Sequence, residues 1–555
     1  MGGRRTGRGG REQGTEGAEQ DGHRDGDVLA SREDETGQRS NDQACDSICS
    51  GSTCQNYPAS RQWRTVLVQG RGLAGTGYFA LDVTRPGGNV IYNGGAGTME
   101  TPDPIALWEF DATWERAQVE YLLANAPERV RTNAVPPPAL WNNAECGYSV
   151  ENFWKGSFLG FSTSEPEIAT LLVNHPAGTA QRPVAVFGGG VSLTGGTNCG
   201  DAGTGFAIYV VDLQTGSLLR RFTSYFEGTE ERHFAVAPIP TESFYNSPGA
   251  GYFAGAPALF DASSGAIATR GFIGDARGRL FRMDFLSANP ADWKVELFFD
   301  PYSNTDLRQL FVNSGFSSGD TFGPASFKPA VAMTPARDVM VVYGTGEPGD
   351  VVSNSQGQAI LALTEDLAAG NGKLAWAEVF SDGEKLTGEP VIFDRNVYFP
   401  TYAVPEAEVC APGMARIWGL RLLDQDLASI KSTGAFFDNA NISTAGLISD
   451  PSATATSPPR WFGPQDPTLI RGVTITLGAQ CAVEGAGTDD PSISAQARQR
   501  PQLIAQTTGN VDAAIKNIDD PGTVPTSLNN IDRLVLDLPV PRTQAIPLSW
   551  SIVTN

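Results

Sequence analysis

A short apolar strand that ends on an acidic residue and leads into a turn recurs along this chain. The copies are YFALDVT (78–84), IYVVDLQTG (208–216), LFRMD (280–284), ILALTED (360–366) and IWGLRLLD (417–424). A strand-rich unit that repeats with turn signals is typical of a β-propeller. The sequence therefore predicts an all-β fold, a modified β-propeller of about five to seven blades with long loop insertions.

The strands around these copies group into units of three or four. Predicted units span 63–110, 167–222, 256–299 and 328–380, with a further unit from 389. Segments 473–477 and 503–507 either complete that last unit or begin another. The strand-end residue Asp212 and its equivalents are expected to accept hydrogen bonds within their turns. Gly216 and Gly278 are expected to supply the positive φ that such turns need.

Three segments do not fit the repeating units. Residues 1–43 are rich in Arg, Gly, Glu and Asp with almost no apolar residue, which predicts a disordered tail ahead of a propeller at 44–555. Residues 111–158 are predicted to form a loop insertion on one blade, with helical composition near its start. Residues 424–467 are rich in Ser, Pro and Asn and are predicted to be loop-rich.

The charge of the chain limits what it can bind. The net charge is −22, which argues against a nucleic-acid groove because phosphate binding needs clustered Lys and Arg. The sequence contains no apolar run of about 20 residues, so no transmembrane helix is predicted. No secretory signal is visible either. Residues 1–43 are then either a solvated tail or a sign that the true start lies upstream, and we expect the second.

Seven cysteines favour an exported protein that folds in an oxidising compartment. Cys45, Cys49 and Cys54 are closely spaced, as in a metal knuckle or as in one local disulfide plus a free thiol, and we expect the disulfide. The long-range disulfide candidates are Cys146 with Cys199 and Cys410 with Cys481. Each such bridge would stabilise the fold by about 2–4 kcal/mol.

Several segments carry a family resemblance in their shared order. They are 63–68, 75–84, 107–110, 159–169, 187–190, 209–216, 274–284, 344–346, 388–392 and 397–402, with Cys410 and, near the end, Ser549 and Trp550. In this order they resemble the PilY/PilC family of type IV pilus proteins. The resemblance covers roughly 63–423 and continues more faintly toward the C-terminus.

The resemblance implies an exported, non-enzymatic propeller at the cell surface. Such a protein would pass through the periplasm and stay associated with pili or the outer membrane. The expected roles are pilus assembly, control of retraction, adhesion and twitching motility. The expected partners are pilins or minor pilins, with an outer-membrane secretin or a host or abiotic surface as further candidates. No nucleic-acid partner is expected.

The resemblance also implies a candidate calcium loop. Its positions in this sequence are Asp261, Ser263, Gly265 and Thr269. Calcium takes six to eight oxygen ligands, and only Asp261 of these four is a carboxylate. A plain hairpin turn is the alternative.

The aromatic residues of the insertion are candidates for partner binding. They are Trp141, Phe153 and Trp154. Exposed aromatic side chains in a loop suit interface anchors. The alternative is a flap buried against the propeller.

Two other functions are compatible with a propeller. One is a generic outer-membrane or periplasmic assembly scaffold. The other is a quinoprotein dehydrogenase, since the segment from Val211 to Arg220 resembles those enzymes, which bind pyrroloquinoline quinone and calcium. No adjacent cysteine pair stands in this sequence, so pyrroloquinoline quinone is not expected. Neither a Gly-x-Ser-x-Gly elbow on a strand-to-helix turn nor a His-Glu-x-x-His motif is present, and the prediction is a protein that is not an enzyme.

Overall fold

The structure is a computed structural model in which the chain divides into two units, residues 1–63 and 64–555. The described residues all belong to the second unit. They are 64–83, 105–125, 157–175, 178–191, 204–205, 207–223, 252–261, 266–317, 320–334, 338–346, 357–366, 370–380, 383–403, 413–423, 425–426, 430–432, 447–449, 459–464, 469–477, 501–508 and 533–537. The predicted tail at 1–43 lies outside them.

The first sheet contains three antiparallel strands. They are β1 (Val66–Gly70), β2 (Tyr78–Asp82) and β3 (Ile105–Phe110). Alternate residues of these strands are buried on one face, as a half-buried sheet requires. Helix α1 (Ala112–Asn125) follows, and the Oδ1 atom of Asp111 accepts hydrogen bonds from the backbone N–H groups of Thr113 and Trp114 at its start.

The second, third and fourth sheets are four-stranded antiparallel meanders, and they confirm the three complete units expected from the sequence. The second sheet contains β4 (Glu167–His175), β5 (Gly178–Gly188), β6 (Ala207–Asp212) and β7 (Leu218–Thr223). The third contains β8 (Ala258–Phe260), β9 (Arg270–Gly274), β10 (Leu280–Asp284) and β11 (Lys294–Phe299). The fourth contains β12 (Ala330–Met333), β13 (Val339–Gly344), β14 (Gln358–Asp366) and β15 (Asn371–Phe380).

Two helical segments accompany these sheets. A 3₁₀ turn spans Pro290–Asp292, and helix α2 (Thr305–Asn313) connects the third sheet to the fourth. The Asn304 side chain caps α2 by accepting a hydrogen bond from the backbone N–H of Leu307 at 2.9 Å. Among the described helices, none is long and apolar enough to cross a membrane.

The fifth and sixth sheets come from the last part of the chain. The fifth contains β16 (Lys385–Leu386), β17 (Val391–Phe393), β18 (Asn396–Ala403), β19 (Met414–Arg421), β22 (Leu447–Ser449) and β23 (Trp461–Pro464). Between them, β20 (Gln425–Asp426) and β21 (Lys431–Ser432) form a two-stranded ribbon. The sixth contains β24 (Leu469–Leu477), β25 (Pro501–Thr508) and β26 (Arg533–Asp537).

The segment 424–467, expected to be loop-rich, thus supplies four short strands. β23 pairs with β19 through Trp461 and Phe462, whose side chains are buried in the clusters on the two faces of the fifth sheet. Burial of these two aromatic side chains holds β23 in the sheet, although the residues around it in sequence favour turns. Of the two alternatives for 473–477 and 503–507, the structure shows the second, because these segments begin a new sheet.

The strand-end aspartates serve the turns, as expected from the sequence. The Oδ1 atom of Asp212 accepts hydrogen bonds from the backbone N–H groups of Gln214 and Thr215 at 2.9 and 3.0 Å. Gly216, with φ of 71°, completes that turn, and Gly278, with φ of 74°, completes the equivalent turn between β9 and β10.

Successive sheets pack face to face, which makes the described residues a β-propeller of six sheets with three or more strands each. Between the second and third sheets, for example, Ile208 and Val210 on β6 pack in one cluster with Ile273 and Phe281. Similar clusters join each other neighbouring pair, from the first sheet to the sixth. Both faces of a middle strand are therefore buried, which explains why β6 and β13 are buried along their whole length.

Glycines permit close approach where one sheet meets the next. Gly188 ends β5 and Gly274 ends β9. A methyl group at Gly188 would overlap the carbonyl oxygen of Phe253, and one at Gly274 would overlap the carbonyl oxygen of Ala325. Phe253 precedes β8 and Ala325 precedes β12, so each glycine faces the chain that enters the next sheet.

We expect Gly188→Ala to lower the free energy of unfolding by about 1–3 kcal/mol, because the added methyl group meets backbone that cannot rotate away. The matched control is Gly75→Ala, whose methyl group would meet only the flexible side chain of Arg71 at 3.4 Å. That change should stay within about 0.5 kcal/mol. Urea unfolding followed by tryptophan fluorescence measures both, and equal losses for the two variants would contradict the prediction.

Candidate functional site

Most site residues predicted from the sequence lie outside the described residues. They are Ser263, Gly265, Cys146, Cys199, Cys410, Cys481, Trp141, Phe153 and Trp154. Calcium binding, the two disulfides and the aromatic interface therefore stay predictions.

The two described members of the calcium loop lie at either end of the connection between β8 and β9. Asp261 directly follows β8 and Thr269 directly precedes β9. The Thr269 backbone N–H donates to the carbonyl oxygen of Phe260 at 3.1 Å, and Phe260 pairs with Arg270 in the ladder. The two positions thus flank an antiparallel hairpin. Among the described residues, no group of three or more His, Cys, Asp or Glu side chains is arranged to hold a metal ion.

A cavity of about 310 Å³ lies where one strand from each of five consecutive sheets converges with the others. These strands, β4, β8, β12, β17 and β24, contact one another in succession. The lining residues, contributed by or just ahead of these strands, are Thr163, Glu165, Ala254, Ala256, Ser326, Phe327, Gly388, Glu389, Arg471, Gly472 and Val473. The cavity therefore has an apolar wall of Ala, Phe and Val side chains and a charged wall.

The charged lining residues are Glu165, Glu389 and Arg471, and a lysine and a third carboxylate interact with Glu389 from outside the lining. Lys328, ahead of β12, forms a salt bridge of 2.5 Å from its Nζ atom to Oε2 of Glu167, the first residue of β4. Glu165 lies two residues earlier and is exposed. Glu389 precedes β17 and is half-buried. Three segments more than 60 residues apart in sequence thus bring their charges to one place.

These neighbours change the acidity of the Glu389 carboxyl group. Its pKa is raised to about 7: burial is the largest cause, the charges of Glu165 and Glu167 also raise it, and Lys328 lowers it. Burial also raises the pKa of Glu167, against the opposing charge of Lys328. Glu389 is therefore partly protonated near neutral pH, which is common at binding and catalytic sites and also in structural ion-pair networks.

Other buried carboxylates in the structure have a different role. Glu365 on β14 accepts from Arg270 at 2.5 Å and from Arg282 at 2.8 Å, and so joins the fourth sheet to the third. Glu384 pairs with Arg416 at 2.6 Å within the fifth sheet. In the part of the chain that the structure describes, neither Glu165 nor Glu389 forms a salt bridge of this kind.

We expect Glu389→Gln to make the protein more stable at alkaline pH. The ordinary pKa of a glutamate is 4.5, and that of Glu389 in the folded protein is about 7. The folded state therefore binds more protons between these values, and Glu389 costs stability as the pH rises through them. The variant should exceed the wild type by about 1–3 kcal/mol at pH 8 and match it at about pH 4. Urea midpoints at the two pH values test this, and a difference independent of pH would contradict it.

The sequence analysis did not find this cavity. Its charged residues come from separate sheets and share no local motif. The sequence signal is that Glu165 stands two residues ahead of one predicted unit and that Lys328 and Glu389 each begin another.

Comparisons with known proteins found similar chains among solved structures. No protein-family model matches it, and no curated protein matches it in sequence. Among solved structures, the C-terminal domain of Pseudomonas aeruginosa PilY1 is similar, with a TM-score of 0.47 and 16% identity over 80% of this chain and 79% of that one. Saccharomyces cerevisiae Sqt1 has a TM-score of 0.30 and 9% identity over 80% and 68%. A europium-containing methanol dehydrogenase has a TM-score of 0.25 and 10% identity over 80% of each chain.

Proposed function

We propose that this chain is a non-enzymatic β-propeller of the PilY/PilC type that acts in type IV pilus assembly, retraction control and twitching motility. The observation that supports the proposal is where the segments of the family resemblance lie. They fall on β1 to β3, then on β4 to β6, then on β9 and β10, then at the end of β13, and then on β17 and β18. The resemblance therefore follows consecutive sheets of the propeller in family order and is not scattered over its surface.

The protein acts by recognising other proteins, with pilins or minor pilins as partners, after export to the cell surface. Two structural roles of acidic residues favour a function in recognition over one in catalysis. The strand-end residues Asp212 and Asp275 satisfy the backbone of their own turns. Buried Glu365 and Glu384 hold arginines between or within sheets.

The test is a clean in-frame deletion in the native strain, scored for sheared surface pili by immunoblot and for twitching. We expect surface pili to be lost and to return with the intact gene, or when retraction is blocked. Return on blocking retraction would assign the protein to retraction control as well as assembly. Unchanged pili and motility would overturn the proposal and favour a general assembly scaffold of the outer membrane or periplasm.

Calcium regulation is tested separately on the folded protein. The resemblance predicts heat on titration with calcium at the loop from Asp261 to Thr269, which Asp261→Asn would abolish. A titration with millimolar calcium that gives no heat would exclude calcium as a ligand.

A further inference from the structure

We propose that the cavity where β4, β8, β12, β17 and β24 converge receives the side chain of a lysine from a partner protein. The inference rests on the proposed function only in taking a protein as the source of the side chain. The ligand that the cavity would bind is an alkylammonium group, which has a positive tip on an apolar stem. The argument comes from the walls of the cavity, its charge and its rigidity.

The shape and lining of the cavity fit such a group. A volume of about 310 Å³ suits a single long side chain better than a folded segment. Ala254, Ala256 and Phe327 provide an apolar wall for a methylene stem, and Glu165 and Glu389 provide acceptors for the ammonium tip. Lysine side chains bind in this divided way, with the stem on apolar surface and the charge on polar groups.

The balance of charge in the cavity favours a cation. Glu167 is neutralised by Lys328 at 2.5 Å, which leaves Glu165 and Glu389 facing Arg471 among the lining residues. When both carboxyls are ionised, two negative charges oppose one positive charge. A bound ammonium group would therefore relieve the repulsion between Glu165 and Glu389, and neither carboxylate has to leave a salt bridge to bind it.

Protonation of Glu389 changes this balance near neutral pH. The carboxyl of Glu389 has a pKa of about 7, raised by burial and by the neighbouring glutamates. Below that pH, Glu165 alone faces Arg471 and the lining charge is balanced. A lysine stays protonated throughout this range, so any pH dependence of binding comes from the protein. Binding should therefore strengthen as the pH rises from 5.5 to 8.

The cavity is held on rigid elements. Glu389 stands two residues before β17 and Glu165 two residues before β4, and these strands lie in sheets that are buried on both faces. The backbone positions of the two glutamates are therefore set before any ligand arrives, which reduces the entropy lost on binding.

Titration calorimetry of the full-length protein tests the proposal with N-acetyl-lysine methylamide as the probe. We expect about 10-fold tighter binding at pH 8 than at pH 5.5, as follows from a carboxyl that loses its proton between them. N-acetyl-norleucine methylamide, which has the stem without the ammonium group, should not bind. Equal binding of the two probes, or no binding of the lysine probe at millimolar concentration, would overturn the proposal.

Two variants with opposite expected effects on lysine binding distinguish the charge argument from a general loss of folding. Glu389→Gln should weaken the lysine probe about 10-fold at pH 8 and remove the pH dependence, whereas Arg471→Gln should strengthen it several-fold. Glu109→Gln, on the exposed face of β3, is the matched control and should change nothing. If Glu389→Gln and Arg471→Gln weaken binding alike, the charge argument is wrong.

A second probe separates the sources of the ammonium group. Cadaverine carries the same group as a free diamine. If cadaverine binds 10-fold or more tighter than the lysine probe, the ligand is a small amine and the protein source is overturned. If no probe binds and deletion of the gene still abolishes surface pili, lysine binding in the cavity is rejected and the pilus assignment stands.

Discussion

We expect Glu115→Ala to lower the free energy of unfolding by about 3–5 kcal/mol, one of the two largest losses among the single changes considered. Glu115 lies on α1 and is completely buried. Its carboxylate accepts hydrogen bonds from Arg221 at 2.8 Å, from the Tyr209 hydroxyl at 2.8 Å and from Ser157 at 2.5 Å. It also accepts from the backbone N–H of Phe158 at 3.2 Å.

The size of this loss comes from the groups that would be left behind. The Arg221 side chain is only 8% exposed and would become a buried charge without this partner. Breaking a buried ion pair by removing one member costs more than the pair contributed, because the remaining charge is not solvated. The Tyr209 hydroxyl, also buried, would lose the same acceptor. The helix would also lose one of its attachments to the second sheet and keep those through Trp114 and Gln118.

Glu109→Ala is the matched control for this experiment. Glu109 is six residues away on β3 and pairs with Arg71 at the surface, where both side chains are more than 40% exposed. An exposed pair of this kind contributes about 0–1 kcal/mol. Urea unfolding, with limited proteolysis of the region around α1, compares the two variants. Losses of similar size would show that the buried network does not hold the helix.

The second large effect is expected at Trp376, for which Trp376→Ala should cost about 3–5 kcal/mol. The indole is fully buried in the cluster between the fourth and fifth sheets. Its Nε1–H donates to the carbonyl oxygen of Leu422 at 2.9 Å, so it also joins β15 to the end of β19. Truncation would leave a cavity between sheets and an unpaired carbonyl group.

Two further variants separate the parts of this effect. Trp376→Phe keeps most of the apolar volume and loses the hydrogen bond, so it should cost less than the alanine variant. Leu286→Ala removes an apolar side chain that is 63% exposed and should stay within about 0.5 kcal/mol of the wild type. Equal urea midpoints for the alanine and phenylalanine variants would mean that packing between the sheets contributes little here.

Much of the fold could be predicted because its signals are local. Each of the three four-stranded sheets alternates apolar runs with turns. These turns carry residues such as Asp, Thr and Gly, as between Asp212 and Gly216. Helix α2 was not predicted, although Leu307, Leu310 and Phe311 have helical spacing after a capping Asn304. Its nine residues are too few to stand out between β11 and β12.

The candidate site could not be predicted because its signals are not local. Lys328 and Glu167 are 161 residues apart, and only the packing of sheet on sheet brings them within 2.5 Å. A lone glutamate ahead of a strand resembles any solvated residue in sequence. Buried Glu115 was equally inconspicuous, since its partner Arg221 belongs to a strand 106 residues later.

The order of the sheets along the chain is also their order in space. Each of the second, third and fourth sheets is a meander of consecutive strands, and each apolar cluster joins a sheet to the one that follows it. A nascent chain can therefore complete one sheet and bury it under the next as synthesis proceeds. At every stage the apolar surface open to misassembly is confined to the most recent sheet, so a long β-rich chain avoids exposing its whole core at once.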